Sequence, residues 1–226
     1  MIPNPIHKVL SIFQSCGVRA LLMGGQACVF YGGAEFSRDT DFAILADEAN
    51  LERLKQALKE LKAEVIAVPK LSLEFLHRGH AVHFRCRHPE ATGMRVDVMS
   101  KMRGVEDFEV LWERRTTLEG DDGTIYELMS LPDLIQAKKT QRDKDWPMIR
   151  RLIEADHVAC QGVPTQDQVR FWLKEARTPR LLIELARGHP ETTRNILAER
   201  RAVLEFALEE NEAGVEAELE NEEREQ

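Results

Sequence analysis

The chain has 226 residues, 43% of them apolar and 31% charged, with a formal net charge of −8. This length can hold one core with an appendage or two small domains, and the composition is that of an ordinary globular protein. The acidic balance argues against broad non-specific nucleic-acid binding, and no apolar run approaches the ~20 residues that span a bilayer.

The N-terminus, Met1-Ile2-Pro3-Asn4-Pro5, has neither the basic start nor the apolar stretch of an export signal, which predicts a cytoplasmic protein. Cys16, Cys28, Cys86 and Cys160 are scattered and form no CxxC, so reduced thiols are expected rather than a disulfide framework or a zinc site. The negative charge is concentrated at the end: residues 209–226 carry nine glutamates against one arginine, Arg224. The rest of the chain is near neutral and can still carry a local basic groove.

Helical periodicity runs from Ile6 to Cys16, and Gly17 is its stop. Val18 to Met23 reads as a buried strand. Gly24-Gly25 turns into a short helix, Gln26 to Tyr31. Asp41 to Ala46 is the next strand, with Phe42 and Ile44 on one face. Leu51, Leu54, Leu58 and Leu61 mark an amphipathic helix. Glu64 to Val68 is a short strand, and Ala81–Arg87 with Met94–Ser100 form an antiparallel hairpin. Thr124 to Leu128 is a strand after the turn Gly120-Asp121-Asp122-Gly123. From Leu131 the pattern is helical: Leu131 onward, Trp146–Glu154, a linker at Gln161-Gly162-Val163-Pro164, then Val169–Ala176, Arg180–Ala186 and Thr192–Glu209. The acidic end reads as a fraying helix or a disordered tail. This order does not suit a doubly wound sheet. It predicts an α+β fold with a mixed sheet, flanking helices and a helical C-terminal region.

Three aspartates carry the chemistry. Residues two apart on a strand face one side, about 6.6 Å apart along the chain, so Asp39 and Asp41 can converge on ions above one sheet face. In Arg95-Val96-Asp97-Val98-Met99, the valines enter the core and Asp97 points away with Arg95 and Met99. If the two strands are neighbours, the three carboxylates meet. Such a group needs cations to offset its repulsion, and magnesium prefers oxygen ligands. A two-metal site of this kind serves in-line phosphoryl or nucleotidyl displacement. One Asp-x-Asp alone is an ordinary pair of solvated acids, and one Gly-Gly is an ordinary turn. Gly24-Gly25, however, follows a buried strand and opens a helix, where backbone N–H groups can receive phosphates. The chain has neither a Walker lysine nor a GxGxxG.

Met23-Gly24-Gly25, then Ser37-Arg38-Asp39-Thr40-Asp41-Phe42, then Asp97, together resemble the polymerase-beta-like nucleotidyltransferase superfamily. Ser37 replaces that family's threonine, and Thr40 replaces an aliphatic residue. Leu131-Pro132-Asp133-Leu134-Ile135-Gln136-Ala137-Lys138 and Arg142-Asp143-Lys144-Asp145-Trp146 resemble a helix of the AbiEii-like and related bacterial branch. The resemblance covers roughly residues 5–155. It implies a nucleotidyltransferase core over 1–130 and a helical extension contributing nucleotide contacts over 131–160; the C-terminal helical region with its acidic tail, 161–226, is read from the residue pattern and lies outside the resemblance. It further implies that Asp39, Asp41 and Asp97 hold two Mg²⁺ ions, with Asp97 helping to deprotonate an acceptor hydroxyl. Gly24, Gly25, Ser37, Lys138 and Arg142 would meet a nucleoside triphosphate. The acceptor could be a protein side chain, a tRNA end or a small molecule, with an antitoxin partner in a toxin–antitoxin or phage-defence setting and no membrane. The alternatives are a catalytically inactive nucleotide-binding or regulatory module of the same fold, and a metal-dependent phosphate-ester hydrolase.

His83 and Arg85 share one side of their strand and could touch substrate if that is the Asp97 side; a plain surface face is the simpler expectation. His77, His80, His83 and His88 fit no zinc spacing. Trp112, Trp146 and Trp172 are expected in the core, and Cys28 is expected to be buried.

Overall fold

The apolar period from Ile6 to Phe13 forms helix α1 (Pro5–Ser15), with Ile6, Val9, Leu10, Ile12 and Phe13 buried. The computed structural model describes residues 5–120, 123–141, 145–160 and 162–225. The chain divides into two units: Met1–Phe30 with Glu35–Gln141, and Tyr31–Ala34 with Arg142–Gln226. The division falls inside the segment 131–160, so the helix after Leu131 groups with the sheet and the next helix with the C-terminal unit.

The first unit continues with β1 (Ala20–Met23), α2 (Gly24–Phe30), β2 (Asp39–Ile44), α3 (Glu48–Glu60), β3 (Glu64–Val65), α4 (Leu73–His77), β4 (Val82–Arg85), β5 (Arg95–Met99), α5 (Phe108–Glu113), β6 (Thr116–Glu119), β7 (Ile125–Leu128) and α6 (Leu131–Gln141). The strands form one seven-stranded sheet in the order β3-β4-β5-β2-β1-β7-β6. β2–β5 and β1–β7 are parallel, and the other neighbours are antiparallel. The fold is therefore α+β with a mixed sheet.

Alternation decides the two faces. Thr40 pairs with Val96, Phe42 with Val98, Val82 with Val98, and Phe84 with Val96, so these residues make one buried face. Phe13 of α1 stacks on Phe42 with ring centroids 4.6 Å apart, and α1 packs against α3, which buries Leu51, Leu54 and Leu58. Asp47 caps α3 by accepting from Asn50 N–H at 2.6 Å. Buried Asn50 then joins the ends of β1 and β2: its amide donates to Arg19 O and Leu45 O, and its Oδ1 accepts from Arg19 N–H.

The strand expected over Glu64–Val68 pairs only at Glu64 and Val65, after which Ile66 N–H donates to His83 O at 2.9 Å. Pro69, without an N–H, cannot continue an edge ladder. β6, α4 and α5 are additions to the expected elements. They are short, and Thr116-Thr117-Leu118-Glu119 carries little apolar signal; cross-strand contacts such as Thr117 Oγ1–H donating to Glu127 at 2.6 Å help hold it. Asp121 and Asp122 of the expected turn lie outside the described residues.

The second unit contains α7 (Trp146–Cys160), α8 (Gln166–Glu175), α9 (Pro179–Gly188), α10 (Pro190–Asn195), α11 (Arg201–Leu208) and α12 (Glu212–Glu225). Residues 162–164 join α7 to α8 without helix, and Gln161 lies outside the described residues. Thr165 and Gln168 form a reciprocal capping box on α8. The single helix expected over Thr192–Glu209 is broken into α10, a 3₁₀ turn at Leu197–Glu199 and α11. Arg200, at φ −154°, is the non-helical residue before α11. Its buried guanidinium donates to the carbonyls of Leu173 and Ala176 at the end of α8, and to Glu222.

The acidic end is likewise not a fraying or disordered tail. Helix α12 packs on α9 and α11, burying Val215 and Leu219, while Glu222 accepts from Arg177 at 2.6 Å and from Arg200 at 2.7 Å. Among the described residues no helix is long and apolar enough to cross a membrane.

Candidate functional site

The face opposite Phe42 carries Asp39, Asp41 and Ala43 on β2, Arg95, Asp97 and Met99 on β5, and His83 and Arg85 on β4. The parallel register pairs Asp41 with Asp97 and Asp39 with Arg95, and the antiparallel register pairs His83 with Asp97. The three expected acids therefore stand on one face of adjacent strands. Ala43 and Ile44 are buried, whereas Asp39 and Asp41 are half-buried, so β2 is closed at one end and open at the carboxylate end.

Asp97 is the most buried acid of the group and is the centre of a hydrogen-bonded cluster. Arg95 Nε donates to Asp97 Oδ1 at 2.9 Å, and Arg95 Nη2 lies 2.8 Å from Oδ2, a two-pronged clasp. His83 Nδ1 lies 2.9 Å from Asp97 Oδ1 and 3.2 Å from Arg95 Nη2, so as a donor it serves the carboxylate and as an acceptor it serves the guanidinium. The hydrogen bond to Asp97 pushes the Arg95 pKa up, burial opposes it, and the charges of Asp97, Asp39 and Asp41 add to the rise. All three carboxylates thus act on one guanidinium.

The glycine pair is built into the same place. Gly24 has φ +64°, in the left-handed region, and a Cβ there would lie 2.0 Å from Asp41 Oδ2. A Cβ on Gly25 would lie 2.6 Å from Ser37 Oγ. The absent side chains let an acid and a hydroxyl sit directly on the turn. Ser37 Oγ–H also donates to Asp39 O at 3.1 Å. Cys28 is buried, as expected, and its thiol donates to Gly24 O at 3.1 Å.

Lys138 stands half-buried on α6, which packs against α2, the helix opened by the glycines. Arg142 lies outside the described residues.

Among the described residues no three Asp, Glu, His or Cys side chains are grouped closely enough to surround one metal ion. The donor set itself fits a hard divalent cation: carboxylate oxygens from two adjacent strands, with the balancing positive charge supplied here by Arg95. Asp39, Asp41 and Asp97 are the residues that could hold such an ion.

His83 and Arg95 are functional candidates. The sequence puts Arg95 on the Asp97 side without a role, and gives His83 a substrate contact only if its strand side is that of Asp97, which is the side it occupies. The available signal was Arg95-Val96-Asp97, two residues apart on one strand; for His83 it was the shared strand side, which lacked a register to connect it. Trp172 is a core residue that donates from Nε1 to Asp156 at 2.7 Å. Trp112 and Trp146 depart from the core expectation. They are half-buried platforms, with Arg115 lying 4.2 Å from the centroid of Trp112 and Arg177 lying 4.1 Å from that of Trp146.

A cleft of about 250 Å³ lies on the Phe42 side, lined by Leu10, Phe13, Phe42 and Trp112 among others. Its lining includes none of Asp39, Asp41 and Asp97. No protein-family model matches the chain, and no curated protein matches it.

Proposed function

We propose that the chain is a Mg²⁺-dependent nucleotidyltransferase of the polymerase-beta-like type, moving a nucleoside monophosphate from an NTP to an acceptor hydroxyl. The observation that carries this reading is the parallel pairing of Asp41 with Asp97, with Asp39 two residues away on the same face and the Gly24 backbone against the Asp41 carboxylate. Asp39, Asp41 and Asp97 would hold the two ions. Bound there, magnesium supplies positive charge to the phosphoryl oxygens and lowers the pKa of a coordinated hydroxyl. Asp97 is the residue to receive the acceptor proton, steadied by His83. The Gly24-Gly25 backbone and Ser37 would face the triphosphate, and Lys138 would offset its charge; for Arg142 that role is supplied by the sequence resemblance alone. The acceptor oxygen forms its bond to the α-phosphorus as the bond to the β-phosphate bridging oxygen breaks, and pyrophosphate leaves.

The sequence resemblance alone supplies the AbiEii-like branch, the toxin–antitoxin or phage-defence setting and an antitoxin partner. A protein, a tRNA end or a small molecule is the acceptor in this reading. The test is incubation with Mg²⁺ and each α-labelled NTP, alone and with cell lysate. Label transfer with pyrophosphate release, lost in Asp39→Ala and Asp41→Ala, is the expected result. Transfer that survives either substitution refutes the reading, and release of orthophosphate points to ester hydrolysis instead.

One observation favours a second reading, an inactive nucleotide-binding or regulatory module: Asp97 is already engaged by Arg95 and His83. Nucleotide binding by calorimetry that neither requires Mg²⁺ nor leads to turnover would select that module.

A further inference from the structure

Asp97 differs from its two neighbours in having a built-in cationic partner. Both of its oxygens lie within hydrogen-bond distance of Arg95, at 2.9 and 2.8 Å. The two side chains start two residues apart on the same strand, so the backbone holds them together without help from any remote element. Their freedom is unequal. The Asp97 side chain is 8% exposed and the Arg95 side chain 37% exposed. Arginine, with its long stem, can swing into solvent, whereas the short buried carboxylate cannot. His83 Nδ1 also lies 2.9 Å from Asp97 Oδ1, a second nitrogen beside the carboxylate that comes from a different strand. The charges of Asp39 and Asp41 also act on Arg95, so its guanidinium balances the whole acidic group and not only its nearest partner.

We infer that Arg95 is an internal counter-ion that competes with a divalent cation for Asp97, so that the guanidinium has to leave this carboxylate before it can coordinate. The inference rests on the reading of the three aspartates as metal ligands. A guanidinium and a divalent cation demand the same oxygens, and both cannot be served at full strength. The clasp therefore lowers the affinity for bare metal while keeping three like charges from repelling one another when no cation is present. The opposite role, a strut that holds Asp97 ready for metal, predicts the opposite sign, and this makes the two separable.

Binding of Mn²⁺, which shares magnesium's preference for oxygen ligands, can be followed by the loss of the free-ion electron paramagnetic resonance signal, without any turnover. Arg95→Gln keeps an amide donor but removes the charge, and circular dichroism and thermal unfolding check that the fold is retained. The expected result is about tenfold tighter Mn²⁺ binding by Arg95→Gln than by wild type, the scale of one charge-assisted hydrogen-bonded pair. Arg95→Lys, which retains the charge, should stay within about threefold of wild type, and adding Asp97→Asn to Arg95→Gln should erase the gain. Equal or weaker Mn²⁺ binding by folded Arg95→Gln overturns the competition while leaving the metal site standing. Absence of Mn²⁺ binding by both proteins at millimolar ion overturns the metal reading itself, and the competition with it.

Discussion

Gly24→Ala tests the link between the glycine turn and the carboxylates. Two costs are expected. At φ +64° an alanine is in the left-handed region, which costs about 1–2 kcal/mol. Its Cβ would also stand 2.0 Å from Asp41 Oδ2, 2.7 Å from Cγ and 2.9 Å from the Asp41 Cβ. Contacts under 3.0 Å are essentially never seen for a Cβ, so the carboxylate, the turn or both must move apart by about 1 Å. A misplacement of that size costs about a hundredfold in rate where geometry is critical. Gly93→Ala is the control: Gly93 has φ +80° and nothing within 4 Å of an added Cβ, so it carries the backbone cost alone. Urea unfolding should show Gly93→Ala losing about 1–2 kcal/mol and Gly24→Ala losing clearly more. In the α-labelled NTP assay Gly24→Ala should fall about a hundredfold, with Gly93→Ala close to wild type. Equal stability losses in the two variants, or full activity in Gly24→Ala, would refute the claim that this turn and Asp41 form one rigid arrangement.

In the C-terminal unit, the Arg177 and Arg200 side chains are only 4% and 6% exposed and share Glu222, and burial followed by the nearby Arg200 charge pulls the Arg177 pKa down. Glu222→Gln leaves two buried like charges without their shared carboxylate, so a loss of about 3 kcal/mol is expected by thermal unfolding. Glu212→Gln, at an exposed pair with Arg180, should stay within about 0.5 kcal/mol. Asn50→Leu should cost about 2–4 kcal/mol by urea unfolding, because it strands Arg19 N–H and Leu45 O and leaves Arg19 O with only its bond from Leu45 N–H. Burial pushes the Cys86 thiol up from 9.0 to about 11. The unfolded thiol ionises first on alkalinisation, so this contribution is complete below pH ~9 and is lost as pH rises through ~11, a fall of about 2–3 kcal/mol. Stability–pH curves of wild type and Cys86→Ala should converge over that window; parallel curves would refute the assignment.

What was legible in the chain follows a physical division. Strict alternation assigns sides, and Val96 and Val98 in the core already direct Asp97 to the other face. Alternation is silent about which strand lies beside which. β2 and β5 become parallel neighbours only after α3, β3, α4 and β4 have intervened, so the Asp41–Asp97 pairing and the His83 contact are products of non-local closure. The same limit explains the two departures in the C-terminal region, the acidic end and the break before α11. In α12, the stripe Val215, Leu219 and Glu222 is outnumbered by solvated glutamates, and a charge count sees a tail where packing sees a face. The break at Arg200 has no glycine or proline beside it to signal it, while the carbonyls at the end of α8 that its guanidinium caps come from a distant stretch of sequence. Arg95 and Arg200 differ here: the acceptor of Arg95 lies two residues along its own strand, whereas Arg200 serves carbonyls at the end of α8 and a carboxylate of α12 that only the closed fold brings to its five donors.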